Sequence, residues 1–200
     1  MAKTKLDWVC AAGRSSAAVS FLIASWFVLR FESGRIMIFF AVGLLVSTIL
    51  CALVTGFVFT YAVIVMPGLS RLSDREFVRA FQATDQIIQN KQPVFLAVWV
   101  GSILSVVVTM VTALVGSIGS AGWAVIVIGA VYLLGVQGIT VSVHLPLNNQ
   151  LQSVTVEEMD SESLYEQRRV FEARWTYFNK IRAVISCVVT VSLMGVSGMI

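Results

Sequence analysis

The chain has 200 residues, 58% of them hydrophobic and 12% charged, a balance too apolar for a soluble domain of this length. Its net charge of +3 comes with no basic cluster dense enough for nucleic acid, so the positive residues read as membrane topology and contact with anionic lipid. Composition therefore points to an integral membrane protein.

The first apolar segment, residues 15–29, holds no charge between Arg14 and Arg30 and is long enough to cross a locally thinned bilayer. Lys3, Lys5 and Arg14 ahead of it also fit a cleaved signal peptide. No small-x-small cleavage site follows, and Arg30, Glu32 and Arg35 come next, which favours an uncleaved span over a signal, re-entrant or surface-lying segment. Four longer apolar runs occupy 36–67, 94–115, 121–145 and 183–200. Each is long enough, at about 1.5 Å per residue, to cross a hydrocarbon core of roughly 30 Å. The run at 36–67 exceeds that thickness and is expected to tilt, bend near Gly56 or project before Pro67 stops it. Residues 1–35 thus read as an N-terminal extension with a short membrane segment, and 36–200 as one membrane domain. The expected fold class is all-α, an integral membrane four-helix bundle with cytoplasmic connecting helices.

Both larger loops carry helix-start signals. Ser73 with Glu76, and Thr155 with Glu158, have capping-box spacing, so a short helix is expected after each. In the first, Phe77, Phe81 and Ile88 share a face while Arg75, Arg79, Gln82, Gln86 and Gln89 point elsewhere, as in a helix lying against the bundle or the headgroups. In the second, Leu164, Phe171, Trp175 and Phe178 form a stripe running without Pro or Gly into the last span, which predicts one long helix leaving the membrane. With five spans, the basic residues of the N-terminal tail, of the loop with Arg71, Arg75, Arg79 and Lys91, and of the loop with Arg168, Arg169, Arg174, Lys180 and Arg182 share one side. Only Arg30 and Arg35 lie opposite, so the positive-inside rule predicts a multi-pass protein with a cytoplasmic N-terminus and its C-terminus across the membrane.

Within the spans, small and polar residues fall on single faces, the way transmembrane helices choose neighbours. Thr48 and Thr55 align in the first, and Gly101, Ser105, Thr109, Thr112 and Gly116 in the second. Gln137, Thr140 and His144 align in the third, and Trp175, Asn179, Arg182, Ser186 and Thr190 in the last. These faces are expected to meet inside the bundle, whereas Tyr61 lies round its helix and needs another partner. Cys10, Cys51 and Cys187 lack metal or redox spacing and read as packing residues.

His144 is the only histidine, so neither a zinc site nor a bis-histidine haem can be assembled from this chain alone. No metal or cofactor is expected. The 36–67, 94–115, 121–145 and 183–200 runs hold no acidic residue to carry cations or protons, which weakens a transporter reading. What remains is His144 at a span end, within reach of Asn148, Asn179 and Arg182, a set suited to an oxygen-rich, partly anionic aromatic molecule. Each residue also has a structural reading: Pro146 ends a helix, Asn148 and Asn149 cap backbone, Arg182 anchors the inner face and Trp175 sits in the interfacial belt.

Pro-Leu-Asn-x-x-Leu at 146–151 and Trp-x-x-x-Asn-x-x-Arg at 175–182 resemble the anthrone oxygenase-like family of small membrane proteins. The resemblance covers roughly residues 38–199 and includes Gly56 and the Met66-Pro67 pair; His144 departs from it, since Asn is expected two residues before that Pro. It implies a four-helix membrane core and oxidation of a polyketide anthrone to an anthraquinone by molecular oxygen without a cofactor. By position it makes Asn148, Trp175, Asn179 and Arg182 site residues. The chemistry then gives His144 the proton, Asn148 and Asn179 the carbonyl or phenolic oxygens, Arg182 the developing negative charge and Trp175 the ring face. The alternative is a non-enzymatic subunit or lipid-binding scaffold, whose small-residue faces serve assembly with a membrane protein partner or a second copy of the chain.

Overall fold

The computed structural model describes residues 34–200. The segment expected at 15–29, Cys10 and the extension that holds them lie outside the described residues. Within them every element is helical: α1 (Gly34–Leu69), α2 (Asp74–Gln89), α3 (Pro93–Val115), α4 (Gly119–Gln152) and α5 (Ser161–Ser197). Helices α1, α3, α4 and α5 are each long and apolar enough to cross a membrane, and α2 packs beneath one end of the bundle against α4 and α5. Outward-facing aliphatics such as Ile38, Ile64, Leu134, Val188 and Val191 are 60% exposed or more, the surface a bilayer would cover. This is a membrane helical bundle.

Local chemistry sets most boundaries. The Ser73–Glu76 capping box starts α2 as expected. Lys91 takes a left-handed conformation (φ 58°) after α2, and Pro93 opens α3 at a position where its missing N–H costs nothing. Helix α5 runs unbroken for 37 residues, with Leu164, Phe171 and Trp175 of its stripe buried. The second capping box does not form: Thr155 and Glu158 close only a turn, and α5 begins at Ser161 with Asp160 accepting from the Ser163 N–H at 2.8 Å. The Arg75 guanidinium accounts for this, because it takes the carbonyls of Val156 and Met159 that a helix through this stretch would need.

Neither proline ends its helix. Helix α1 continues past Pro67 to Leu69, and α4 past Pro146 to Gln152. In each case a wide, π-type turn comes first, Tyr61–Val65 and Thr140–His144, closed by the N–H of Met66 on the Tyr61 carbonyl and of Leu145 on that of Thr140. Widening removes the clash that a proline ring makes with the carbonyl four residues back in a regular helix. A further wide stretch, Tyr132–Gly138, precedes the second.

The polar faces of α4 and α5 meet inside: Gln137, Thr140 and His144 are buried, as are Trp175, Asn179, Arg182, Ser186 and Thr190. On α3 the buried line is Ser102, Val106, Thr109 and Ala113, one residue round from the expected stripe, because Ser102 bonds the Tyr132 hydroxyl at 2.6 Å. Phe40, Leu44, Val106, Val125 and Leu193 form the core toward the α3–α4 turn; Phe77, Phe81, Leu151, Phe171 and Trp175 form that of the α2 end.

Candidate active site

At the α2 end a cavity of about 340 Å³ lies between α1, α2, α3, α4 and α5. That volume falls within the roughly 300–1,000 Å³ of small-molecule sites. Aromatic rings make much of its wall: Phe57 and Tyr61 from α1, Phe81 from α2, Phe95 and Trp99 from α3, and Trp175 from α5. Tyr61 finds its partner here, 5.6 Å from the Trp175 ring.

His144 is 2% exposed and sits edge-on to Trp175, with ring centroids 5.0 Å apart. Its Nδ1 is 3.5 Å from the Ile139 carbonyl, and its Nε2 has no hydrogen-bond partner among the described residues. Arg182, 3% exposed, donates through Nη1 to the Thr140 hydroxyl at 2.8 Å and through Nη2 to Asn179 Oδ1 at 2.7 Å, while its Nε has no partner among the described residues. Its guanidinium carbon stands 5.9 Å from the Trp99 ring centroid. Among the described residues no carboxylate pairs with it, so a buried cation faces the cavity with only neutral partners.

Both asparagines are engaged within the protein. Asn148 lines the cavity, accepts from Trp175 Nε1 at 2.9 Å and donates to Asp85 Oδ1 at 2.7 Å. An indole only donates and a carboxylate only accepts, so the amide has one orientation. Asn179 is off the cavity wall: it accepts from Arg182 and donates to the Val58 carbonyl at 3.1 Å, tying α5 to α1. The expected five residues thus divide, with His144, Asn148, Trp175 and Arg182 on the wall and Asn179 behind Arg182.

Among the wall residues that were not expected site residues, Asp85 and Gln137 each carry a spare acceptor. Asp85, from α2, is 3% exposed and accepts amide N–H groups from Asn148, Gln89 and Gln152. A carboxylate has about four lone-pair sites, so one on Oδ1 is left over. Its sequence signal is position: it lies four residues after Phe81 and three before Ile88, on the apolar stripe of α2. Gln137 read only as a packing residue. Ser102 donates to the Trp99 carbonyl and so accepts from Tyr132, whose oxygen accepts from Gln137 Nε2 at 2.7 Å. That relay fixes the Gln137 amide and leaves its Oε1 as an acceptor.

Residues 86–192, more than half of the chain, match the family model described as anthrone oxygenase. The match contains Gln137, His144, Asn148, Trp175, Asn179 and Arg182, while Phe57, Tyr61 and Asp85 precede it. Neither curated proteins nor solved structures yield a match. From the family model, together with an all-helical membrane bundle, it follows that the chain belongs to the anthrone oxygenase family.

Proposed function

We propose that this protein oxidises a lipophilic, anthrone-like aromatic with molecular oxygen, using its own side chains and no cofactor. The supporting observation is that one aromatic-walled cavity is lined by both His144, whose Nε2 has no hydrogen-bond partner among the described residues, and Arg182, a buried guanidinium with no counter-ion among them. An anthrone is acidic at the ring carbon opposite its carbonyl. His144 Nε2 takes a proton from that carbon, and the electron pair left behind spreads to the carbonyl oxygen, where Arg182 stabilises the negative charge. The carbanion gives one electron to oxygen, and the resulting radicals combine to form the carbon–oxygen bond. The peroxide takes up the proton; loss of the second carbon-bound proton, with cleavage of the oxygen–oxygen bond, releases water and leaves a quinone carbonyl. One methylene and one dioxygen thus become one carbonyl and one water.

In this reading Trp175 packs on the ring system, Asn179 positions Arg182, and Asn148 positions Trp175 and Asp85. The test uses the full chain in lipid nanodiscs with a synthetic anthrone, following oxygen uptake and anthraquinone absorbance above the spontaneous rate. His144→Gln is expected to lower kcat by roughly 10²–10⁴-fold. Unchanged turnover removes His144 as the base, and a wild-type rate no faster than the spontaneous one overturns the enzyme reading.

A further inference from the structure

The cavity is partly open, and its chemistry identifies the medium it opens to. Most of its ionic and amide-bearing lining is held inward: Asp85, Gln137, His144 and Arg182 are all 2–6% exposed, and Asn148 is half-buried. The wall residues that do reach the outer surface are hydrocarbon, with Leu96 45%, Val141 63% and Leu145 44% exposed. They lie on α3 and α4, whose separation makes the opening. The two helices pack together from their turn as far as Val131, where Gly129 leaves no room for a Cβ beside Met110 Sδ at 2.5 Å. Beyond the Ser102–Tyr132 hydrogen bond, where α4 widens, they diverge. Leu96 and Ile103 stand about one and three turns inside α3, a helix long and apolar enough to cross a membrane. Toward the aqueous end the cavity is latched by Asp85 on Asn148 and Gln152, and by Gln82 on the Leu151 and Val154 carbonyls.

We propose that the α3–α4 gap is a lateral portal to the bilayer, and that the site takes an amphiphilic aromatic whose aliphatic chain stays in lipid while its oxygen-bearing ring head occupies the cavity. The ring head rests on the reading above; the portal and the chain rest on the gap. Among the described residues, the hydrocarbon side chains that α3 and α4 bring to the wall of this cavity of about 340 Å³ include Leu96, Ile103, Val141 and Leu145, which a chain of CH₂ groups would pass on its way out. Lipid is as apolar as that rim, so the portal adds no affinity for the chain. What it supplies is tolerance, which a closed cavity lacks.

The experiment compares two non-reacting probes, 1-hydroxyanthraquinone and the same ring with a decyl chain, by quenching of tryptophan fluorescence in nanodiscs at matched membrane concentration. The wild type should bind both within about threefold. Val141→Trp and Leu145→Trp, on the outward rim of the wall, should weaken the decyl probe through crowding by roughly tenfold or more relative to the bare ring. Retained binding of the bare ring is also the control for folding. The portal is overturned if the wild type rejects the decyl probe, or if the tryptophans weaken both probes alike or neither. A bare ring that binds without turnover of the matching anthrone overturns the oxidation reading and leaves the portal standing, whereas failure of both probes to bind the wild type overturns both.

Discussion

Asp85 brings a carboxylate into a membrane protein's cavity from α2, which is not one of the helices long and apolar enough to cross a membrane. Its charge is compensated by three amide donors rather than by a cation, since no ion pair to it forms among the described residues. Asp85→Asn turns one acceptor oxygen into a donor that then faces amide donors. Hydrogen bonds to charged groups contribute about 1.5–3 kcal/mol, so a destabilisation of that size is expected, read as a lower thermal midpoint in detergent. An unchanged midpoint would mean that the amides find other partners. The same residue marks the limit of sequence reading at this scale. Trp175, Asn179 and Arg182 were legible because a spacing of three and four puts them on one face of a helix entering lipid. The acid was not, because attention to charge inside the four apolar runs overlooks a residue delivered from beneath them. The roles of the two asparagines depend on what lies opposite, an indole, a carboxylate, a guanidinium and a backbone carbonyl, and spacing within one helix carries no such information.

Helix α2 is held in place at its N-terminal end. Arg168 of α5 donates to the carbonyls of Leu72 and Ser70 and to Asp74 at 2.9 Å, with its guanidinium carbon 4.6 Å from the Phe77 ring centroid. At the start of α2, Glu76 accepts from the Ser73 hydroxyl at 2.6 Å and the Ser73 N–H at 3.1 Å, which holds its carboxyl below the ordinary value of 4.5. The folded state therefore binds this proton less readily than the unfolded one. The stabilisation is complete above 4.5 and is lost as the pH falls below it. Amide hydrogen exchange in the first turn of α2, corrected for intrinsic rate, should accelerate in that window, and Glu76→Gln should remove the pH dependence. A profile shared by wild type and variant would assign the effect to another group. This cap was legible because its partners are three residues apart; the Thr155–Glu158 pair has the same spacing, yet Arg75 from a distant helix claims the carbonyls around it.

For the molecule as a whole, four helices long and apolar enough to cross a membrane and a docked amphipathic helix follow from hydropathy and periodicity, and the described residues form them. The course of α1 and α4 beyond their prolines does not follow, because a proline in an apolar run reads as a stop, and only the wide turns before Pro67 and Pro146 turn it into a passage. Pro146→Ala restores the missing donor and frees the turn to rewind. The variant should melt no lower than the wild type, yet bind 1-hydroxyanthraquinone about tenfold or more weakly, because rewinding by one residue turns the imidazole by about 100°. Equal binding would separate the ring nitrogen's aim from the winding of its helix. A residue usually counted as a defect in a coil thus acts as a spacer: it keeps the winding slack where His144 projects, and an otherwise sturdier α4 would point that side chain at the wrong neighbour.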